Sequence, residues 1–349
     1  MKISIGAKII DGPWGGGNLF FKNLQKYLSD KGHTVVFDLL SKDIDIILLT
    51  DPRFLSESSS FDYLDLKIYK KFINPKVKIL HRINECDERK NTSGLNKFII
   101  KASKLADVKV FVSHWLKNLY ESQGININNN KVILSGSDET IFNSKTKEVW
   151  DGKKPIKIVT HHWGANWNKG FDIYQHLDRL LSDSKLSRQY SFTYIGNIPE
   201  NFKFNNTNHI KPLSGDALSK ELQKHDIYLT GTINEPSGNH HIEGALCGLP
   251  VLYIDSGGVS EYAKNFGLDY TIDDFQTKLE NLVENYDIYS KKLINYPFTS
   301  NRMCEEYEML FKQIFENHMK TNNSSFLFFL FKIYLKIKNF IKKVVTNDW

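Results

Sequence analysis

The chain has 349 residues, 41% of them apolar and 25% charged, with a formal net charge of +6. That is too long for one ordinary hydrophobic core and too apolar for a disordered or fibrous chain, so two domains of roughly 150 residues are expected. Phe326 to Trp349 alone holds five lysines against one aspartate, a net +4, which leaves +2 on the other 325 residues and argues against a broad nucleic-acid-binding surface.

Three cysteines, Cys86, Cys247 and Cys304, lie far apart and without metal-ligand spacing. They predict reduced thiols in a reducing, cytoplasmic compartment. The opening MKISIGAKII leads straight into a strand pattern without signal-peptide character, and no apolar run approaches the ~18 residues of a spanning helix.

In chain order, KISIGAKII reads as a strand and GNLFFKNLQKYLSDKGH as a helix, with Leu19, Phe20, Leu24, Tyr27 and Leu28 on one side. TVVFDLL and IDIILLT follow as strands, then a helix around Leu64–Phe72 and the strand VKILHRI. A helix around Gly94–Leu105 precedes the strand VKVFVS, the helix HWLKNLYESQG and the short strand KVILSGSD. Strands that are apolar nearly throughout belong to parallel sheets covered on both faces. After the polar link GKKP the alternation restarts: strand IKIVTHH, helix GFDIYQHLDRLLSD, strands YSFTYIGN and DIYLT, helix HIEGALCGL, strand PVLYID. Two α/β halves joined once predict two facing Rossmann-like domains, residues 1–148 and 149–300, with a cleft between them. A closing helix is expected over 301–320 and an amphipathic helix over 324–349.

GPWGGGNLF stands between the first strand and the first helix. Glycines there let backbone N–H groups approach an anion, and a helix N-terminus favours negative charge. One reading is a dinucleotide fingerprint: Gly15-x-Gly17 fits its first half and Asp38 stands where a ribose-binding acid would, but Phe20 occupies the third glycine's place. The other is a nucleotide-sugar site whose phosphates meet Gly16 and Gly17 from the cleft. A second cluster, EPSGNHHIEG, follows the strand DIYLT. Glu235 and Glu243 are eight positions apart, Gly238 permits close backbone approach, and His240 and His241 either donate to a ligand or cap the helix. A carboxylate in the first turn of that helix suits a ribose diol, two acceptors facing two hydroxyls, or complements the helix dipole.

Glu235-Pro-Ser-Gly-x4-Glu243 resembles the E-x7-E motif of the retaining glycosyltransferases of the GT-B fold, family four. EGALCGLPVLYIDSGGVSEYA is similar to that family's continuation through Gly-x-Pro-Val to Gly-Gly-x-x-Glu, ending at Glu261. NKGFDIY resembles its Lys-Gly segment, GGGNLFFKNLQKYLSDKGHTV its glycine loop and helix, and ILSGSDETIF its hinge, all in order from residue 15 to residue 262. The resemblance implies two facing domains, acceptor side first and nucleotide-sugar side second. It places Glu243 on the nucleotide ribose, Glu235 beside the reacting carbon of the donor sugar, and Lys169 on the diphosphate leaving group. Backbone at Gly16 and Gly17 faces the same phosphates, and His81 stands near the donor sugar. His240 and His241 replace residues that are apolar in the family; with Gly238 they are expected at the donor site on their own chemistry, as donors to a sugar or phosphate or as a cap. The arginine usual five or six residues before the lysine is missing from HHWGAN, so His162, Asn166 or Arg82 would have to compensate.

No Asp-x-Asp pair is placed for a metal, so neither metal nor cofactor is expected, and protein cations would stabilise the leaving diphosphate. The last segment, FLFFLFKIYLKIKNFIKKVVTNDW, separates at about 100° per residue into a lysine side and an apolar side, the pattern of a helix lying in an anionic membrane surface through residues 326–345. Together these features predict a peripheral enzyme of the inner membrane face, a retaining glycosyltransferase acting on a glycan or lipid-linked acceptor in bacterial surface polysaccharide synthesis. The alternatives are an epimerase or phosphorylase of the same fold, a nicotinamide-dependent oxidoreductase, or a sugar-binding protein without turnover.

Overall fold

The computed structural model of the chain describes residues 1–9, 15–54, 56–126, 128–316 and 325–347. Its first half runs β1 (Lys2–Ile5), α1 (Gly15–Asp30), β2 (Thr34–Val36), β3 (Ile46–Leu49), α2 (Tyr63–Ile68), β4 (Lys78–Ile83), α3 (Asp87–Lys90), α4 (Leu95–Ser103), β5 (Val108–Phe111), α5 (His114–Ser122) and β6 (Asn130–Val132). The second half runs β7 (Ile156–His162), α6 (Phe171–Leu180), α7 (Leu186–Gln189), β8 (Tyr190–Gly196), β9 (Asn208–Ile210), α8 (Gly215–Leu222), β10 (Ile227–Thr230), α9 (Asn239–Leu246), β11 (Val251–Tyr253), α10 (Ser260–Ala263), β12 (Gly267–Asp269), α11 (Phe275–Glu284) and α12 (Tyr286–Leu293). Two further helices follow, α13 (Ser300–Phe315) and α14 (Ser325–Asn347).

The strands form two six-stranded sheets, in the orders β2-β1-β3-β4-β5-β6 and β12-β11-β10-β7-β8-β9. Every pairing within them is parallel. The apolar runs explain this: Ile46, Ile47, Leu48 and Leu49 are all fully buried, as covering both faces of a parallel sheet requires. Each such side chain removed from water contributes about 1.5–3 kcal/mol. The expected boundary falls between β6 and β7, in a stretch that carries no strand.

On α1 the buried face is Phe20, Phe21, Leu24 and Leu28, at helical spacing. Leu19, expected on that face, is 38% exposed and turns to the cleft between the halves, where Gly17 also stands. α13 starts at Thr299, whose side chain accepts from Arg302 N at 3.2 Å. It then leaves the second sheet and packs Met303, Cys304, Tyr307 and Phe311 into the core of the first, against Phe20 and Leu24. The second half is thereby tied back to the first by burial of apolar surface. All three cysteines are buried free thiols.

α14 lies on the first half rather than apart from it. Phe328 and Phe331 pack with Ile44, Tyr69 and Ile73, while Lys338 Nζ reaches Asp62 Oδ2 at 2.5 Å and Asp65 Oδ2 at 2.6 Å. Asp62 and Asp65 are the reciprocal cap that starts α2. The lysine side expected from the helical projection is therefore divided. Lys338 and Lys342 point at the protein, the latter donating to Ser56 O at 2.6 Å, because the buried carboxylates of α2 need a counter-charge. Lys336 stays exposed, and Lys332 lies 4.6 Å from the Phe328 ring centroid. Phe326, Phe329, Ile337 and Phe340 remain more than half exposed. No described helix is long and apolar enough to cross a membrane.

Candidate functional site

Parallel strands place their C-terminal ends, and the loops that follow them, along one edge of each sheet. The loops after β4, β7 and β10 and the start of α1 meet there, around a cavity of about 400 Å³ between the two sheets. Gly17, Lys169, Glu235, Gly238, His240 and Glu243 line it.

Glu235 leaves β10 through Asn234, which takes a left-handed φ of 54°. Its backbone is clamped from behind: Gly258 N donates to Glu235 O at 2.9 Å, and a Cβ on Gly257 would stand 2.3 Å from that same oxygen. Only glycine tolerates such an approach. Gly238, at φ 73°, precedes α9, and a Cβ there would meet the His240 ring at 2.8 Å.

The carboxylate of Glu235 is 2.5 Å from Lys169 Nζ and 3.1 Å from Arg89 Nε, the latter without the alignment of a hydrogen bond. Arg89 comes from the opposite half and also reaches Glu85 Oε2 at 3.0 Å, where Lys90 Nζ approaches to 3.2 Å. Burial works against the charge on Glu235, but Arg89 and Lys169 outweigh it and hold its pKa down at about 2. Burial pulls the Lys169 ammonium down despite Glu235, whereas for Arg89 the two carboxylates overcome burial and push it up.

Glu243 sits in the second turn of α9, not the first as expected, because the helix already starts at Asn239. Dipole complementation therefore does not explain it. His161 Nε2 donates to its Oε2 at 2.8 Å, Ser137 Oγ lies 3.4 Å from its Oε1, and Tyr228 OH donates to His161 Nδ1 at 3.1 Å. The carboxylate is thus oriented by both halves of the chain, with its edge on the cavity.

His240 and His241 occupy the first turn of α9. His240 Nε2 is hydrogen-bonded to Thr230 Oγ1 at 2.9 Å, and its ring packs at a tilt against His162, ring centroids 4.6 Å apart. His241 is fully buried and donates from Nε2 to Ser237 O at 2.6 Å, away from the cavity. Burial pushes His162 and His240 well below their ordinary pKa and His241 to about 4. These rings are neutral near pH 7 and bring hydrogen bonds rather than positive charge.

Two expected positions lie differently. His81 is fully buried within β4, both ring nitrogens lack a partner among the described residues, and burial takes its pKa to about 3. It does not line the cavity; the next residue, Arg82, on the other face of the strand, does. Gly16 falls within the first turn of α1, and the stretch Gly12–Trp14 of the glycine loop lies outside the described residues. Asp38 turns its carboxylate to Leu40 N at 2.8 Å, closing its own turn instead of facing the glycines.

Sequence reasoning missed Asn84, Arg89 and Lys90, all on the cavity wall. The signal was the charge density of NECDERK directly after an apolar strand. It also missed the use of Glu261, whose Oε2 and Oε1 accept from His114 N and Trp115 N, each at 2.8 Å, capping α5 across the cleft. Among the described residues no group of three or more His, Cys, Asp or Glu is placed to hold a metal ion.

No protein-family model matches the sequence, and no curated protein matches it significantly. Solved structures do match the fold. The chain is similar to a sucrose-phosphate synthase from Thermosynechococcus elongatus, at 12% identity and a TM-score of 0.69, over 90% of this chain and 99% of that one. It is similar to a glycosyltransferase from Rickettsia africae at 16% identity and a TM-score of 0.63, over 90% and 98% of the two chains. Anabaena Alr3699/HepE in complex with UDP-glucose matches at 12% identity and a TM-score of 0.66, over 90% and 100%. These likenesses, at low identity and nearly full length, establish the GT-B fold of two facing Rossmann-like halves, and a C-terminal helix, α14, is also present.

Proposed function

We propose that the chain is a retaining glycosyltransferase that moves a sugar from a nucleotide-sugar donor to a glycan or lipid-linked acceptor. The observation that carries this reading is the convergence of Lys169, Glu235 and Glu243 on one interdomain cavity, together with the glycine-bearing first turn of α1. HepE, of the same fold, was solved with UDP-glucose, and that supports a nucleotide-sugar here. Glu243 holds the ribose hydroxyls in this scheme, with His161 fixing its rotamer. Lys169 and the amides of α1 neutralise the diphosphate as the sugar–phosphate bond breaks, since cations fixed in a site drier than water act strongly on charge that develops there. Glu235 orients the donor sugar and stabilises the positive anomeric carbon. The acceptor hydroxyl then attacks from the face the diphosphate leaves and passes its proton to the departing phosphate oxygen, which retains the anomeric configuration, and protein cations take the place of a metal.

The reading is tested by titration with UDP, GDP, ADP and NAD, followed by transfer assays with the sugars of whichever nucleotide binds. Glu243→Gln is expected to weaken the bound nucleoside diphosphate roughly tenfold, the size of one lost charge-assisted hydrogen bond. Binding of NAD alone, or a product of inverted configuration by proton NMR, overturns it.

The exposed face of α14 supports attachment to the inner surface of an anionic membrane, and with it a lipid-linked acceptor in surface polysaccharide synthesis. Phe326 and Phe340 are each 68% exposed on a helix whose opposite side is anchored by Phe331 and Lys338. An apolar strip beside Lys332 and Lys336 suits the headgroup boundary of a bilayer. A chain ending at residue 323 should lose flotation with phosphatidylglycerol vesicles; equal flotation removes this part of the reading.

A further inference from the structure

Among the described residues, four cationic side chains line the cleft: Arg82, Arg89, Lys90 and Lys169. Three of them are matched by carboxylates, Arg89 by Glu85 and Glu235, Lys90 by Glu85, and Lys169 by Glu235. Arg82 is not. It is 5% exposed, and among the described residues its Nε and Nη1 have no hydrogen-bond partner and no aspartate or glutamate acts on its charge. A guanidinium stays charged at any working pH, and burying one without an anion is costly. Such a group in a cleft wall calls for an anionic ligand.

Its surroundings say where that ligand goes. The Phe20 ring of α1 lies 4.0 Å from the guanidinium carbon, and Tyr307 of α13 stands beside it. Stacking fixes the plane of the guanidinium and leaves its donor edge as the group that meets a ligand. The same wall carries Gly17, in the first turn of a 16-residue helix whose leading amides have no partner within the helix. A Cβ on Gly17 would meet nothing within 4 Å, so the cleft wall is open beside that residue. The other candidates to replace the arginine missing before Lys169 fail on charge. His162 is held neutral by burial, and Asn166 carries none.

We propose that Arg82 is the second phosphate-binding cation of this cleft, supplied by the first half of the chain and acting together with the first-turn amides of α1. The proposal rests on the nucleotide-sugar reading only for the carrier of the phosphate, which is the donor's diphosphate or a phosphate on the acceptor. Donor and acceptor arms separate the two.

The full chain and its Arg82→Met and Arg82→Lys variants are titrated calorimetrically with inorganic pyrophosphate, with the nucleoside diphosphate that the unaltered chain binds best, and with the matching nucleoside. Arg82→Met should weaken pyrophosphate and nucleoside diphosphate by roughly 10- to 100-fold and leave the nucleoside unchanged, the size expected for lost charged hydrogen bonds. Arg82→Lys, which keeps the charge but loses the fork, should fall between, and it serves where the methionine variant folds poorly. A fall in pyrophosphate binding with unchanged nucleoside diphosphate, and a raised KM for a phosphate-bearing acceptor only, assigns the phosphate to the acceptor. Unchanged binding of both probes in a folded Arg82 variant overturns the proposal. If no nucleoside diphosphate binds the unaltered chain, the transferase reading fails on its own, and pyrophosphate still decides Arg82.

Discussion

Replacing Glu235 by glutamine removes one charge and keeps the shape of the side chain, so it isolates what that charge does. In the empty cleft the carboxylate is buried, 2.5 Å from Lys169 and 3.1 Å from Arg89. Burial raises its pKa, yet the two cations bring it from the ordinary 4.5 to about 2. That depression corresponds to about 3 kcal/mol in favour of the ionised folded state. The folded value lies below the unfolded one. The contribution is therefore complete above pH 4.5 and lost only as pH falls toward about 2. At pH 7 Glu235→Gln should lower the unfolding free energy by about 3 kcal/mol, seen as several degrees in Tm. Ligand binding should move the other way. Lys169 and Arg89, released from Glu235, become available to a diphosphate, so the variant binds a nucleoside diphosphate at least as tightly as the unaltered chain. Transfer, in contrast, should fall by about 100-fold or more if, as proposed, Glu235 stabilises the reacting carbon by its charge. Calorimetry, nucleotide titration and a transfer assay on one preparation read all three. A variant as stable as the unaltered chain refutes the ion-pair account, and parallel loss of nucleotide binding and transfer refutes the idea that Glu235 competes for the cations.

The buried histidines predict an acid limb of different origin. His81 and His241, with folded pKa near 3 and 4, stay neutral in the fold, so their contribution is full above the ordinary 6.5 and falls away as pH drops through it toward those values. Each should cost about 2 kcal/mol by pH 5, and His81→Leu should flatten the fall of Tm between pH 7 and 5; an unchanged slope rejects this. Lys338→Glu would set a third carboxylate against Asp62 and Asp65. It should free α14 to proteolysis while the rest of the chain stays folded, and equal protease resistance would count against the docking. Glu261→Gln weakens the cap it makes on α5 across the cleft, by about 1 kcal/mol, and should enlarge the radius of gyration by small-angle scattering. An unaltered radius removes Glu261 as a closing group.

The sheets and the cleft were legible because burial on both faces leaves a plain trace: Ile46–Leu49 and Ile227–Thr230 read as strands from composition alone. That Glu235, Lys169 and Glu243 share one cavity was legible through motifs resembling a known family, since Lys169 is far from the two glutamates in sequence and only the fold joins them. Arg89 was not, because its partner Glu235 is far away in the chain and pairs with it only across the cleft. His81 misled for the opposite reason. The family resemblance puts a histidine after the fourth strand near the donor sugar, but alternation along β4 turns His81 away from the cavity and Arg82 toward it. The face of α14 failed similarly. Helical projection groups its five lysines, yet Asp62 and Asp65 recruit Lys338 to the protein side, and no periodicity reveals a counter-charge so distant in sequence.

The contacts that cross the cleft differ in kind, and that sets how a donor enters. Around α13 and α5 the halves meet through buried groups: Tyr307 and Phe311 in the first core, Tyr262 OH donating to Val112 O at 2.6 Å, and Gly258 against Ser113. Around α3 they meet through polar groups only. Asn168 Nδ2 donates to Arg89 O at 3.1 Å, Asn234 Nδ2 to Glu88 O at 3.4 Å, and Arg89 pairs with Glu235. α3 has four residues, none of them buried, and is held to its own half by the reciprocal bonds of Asp87 with Asn96, at 2.8 and 2.9 Å. The α3 contacts are part-buried and carry no buried residue of α3 with them, so they open at a cost set mainly by the Glu235 ion pair, whereas the α13 core opens only at a cost near that of unfolding. Donor entry should therefore begin with α3 lifting from Glu235 and Asn168, before any rotation of the halves. Hydrogen exchange checks this: amides of residues 88–91 should exchange at least about 100-fold faster than those of α5, and a bound nucleoside diphosphate should slow them selectively. Equal protection of α3 and α5 in the empty chain would mean that the halves open as rigid bodies, and that Arg89 is a structural pair rather than a movable one.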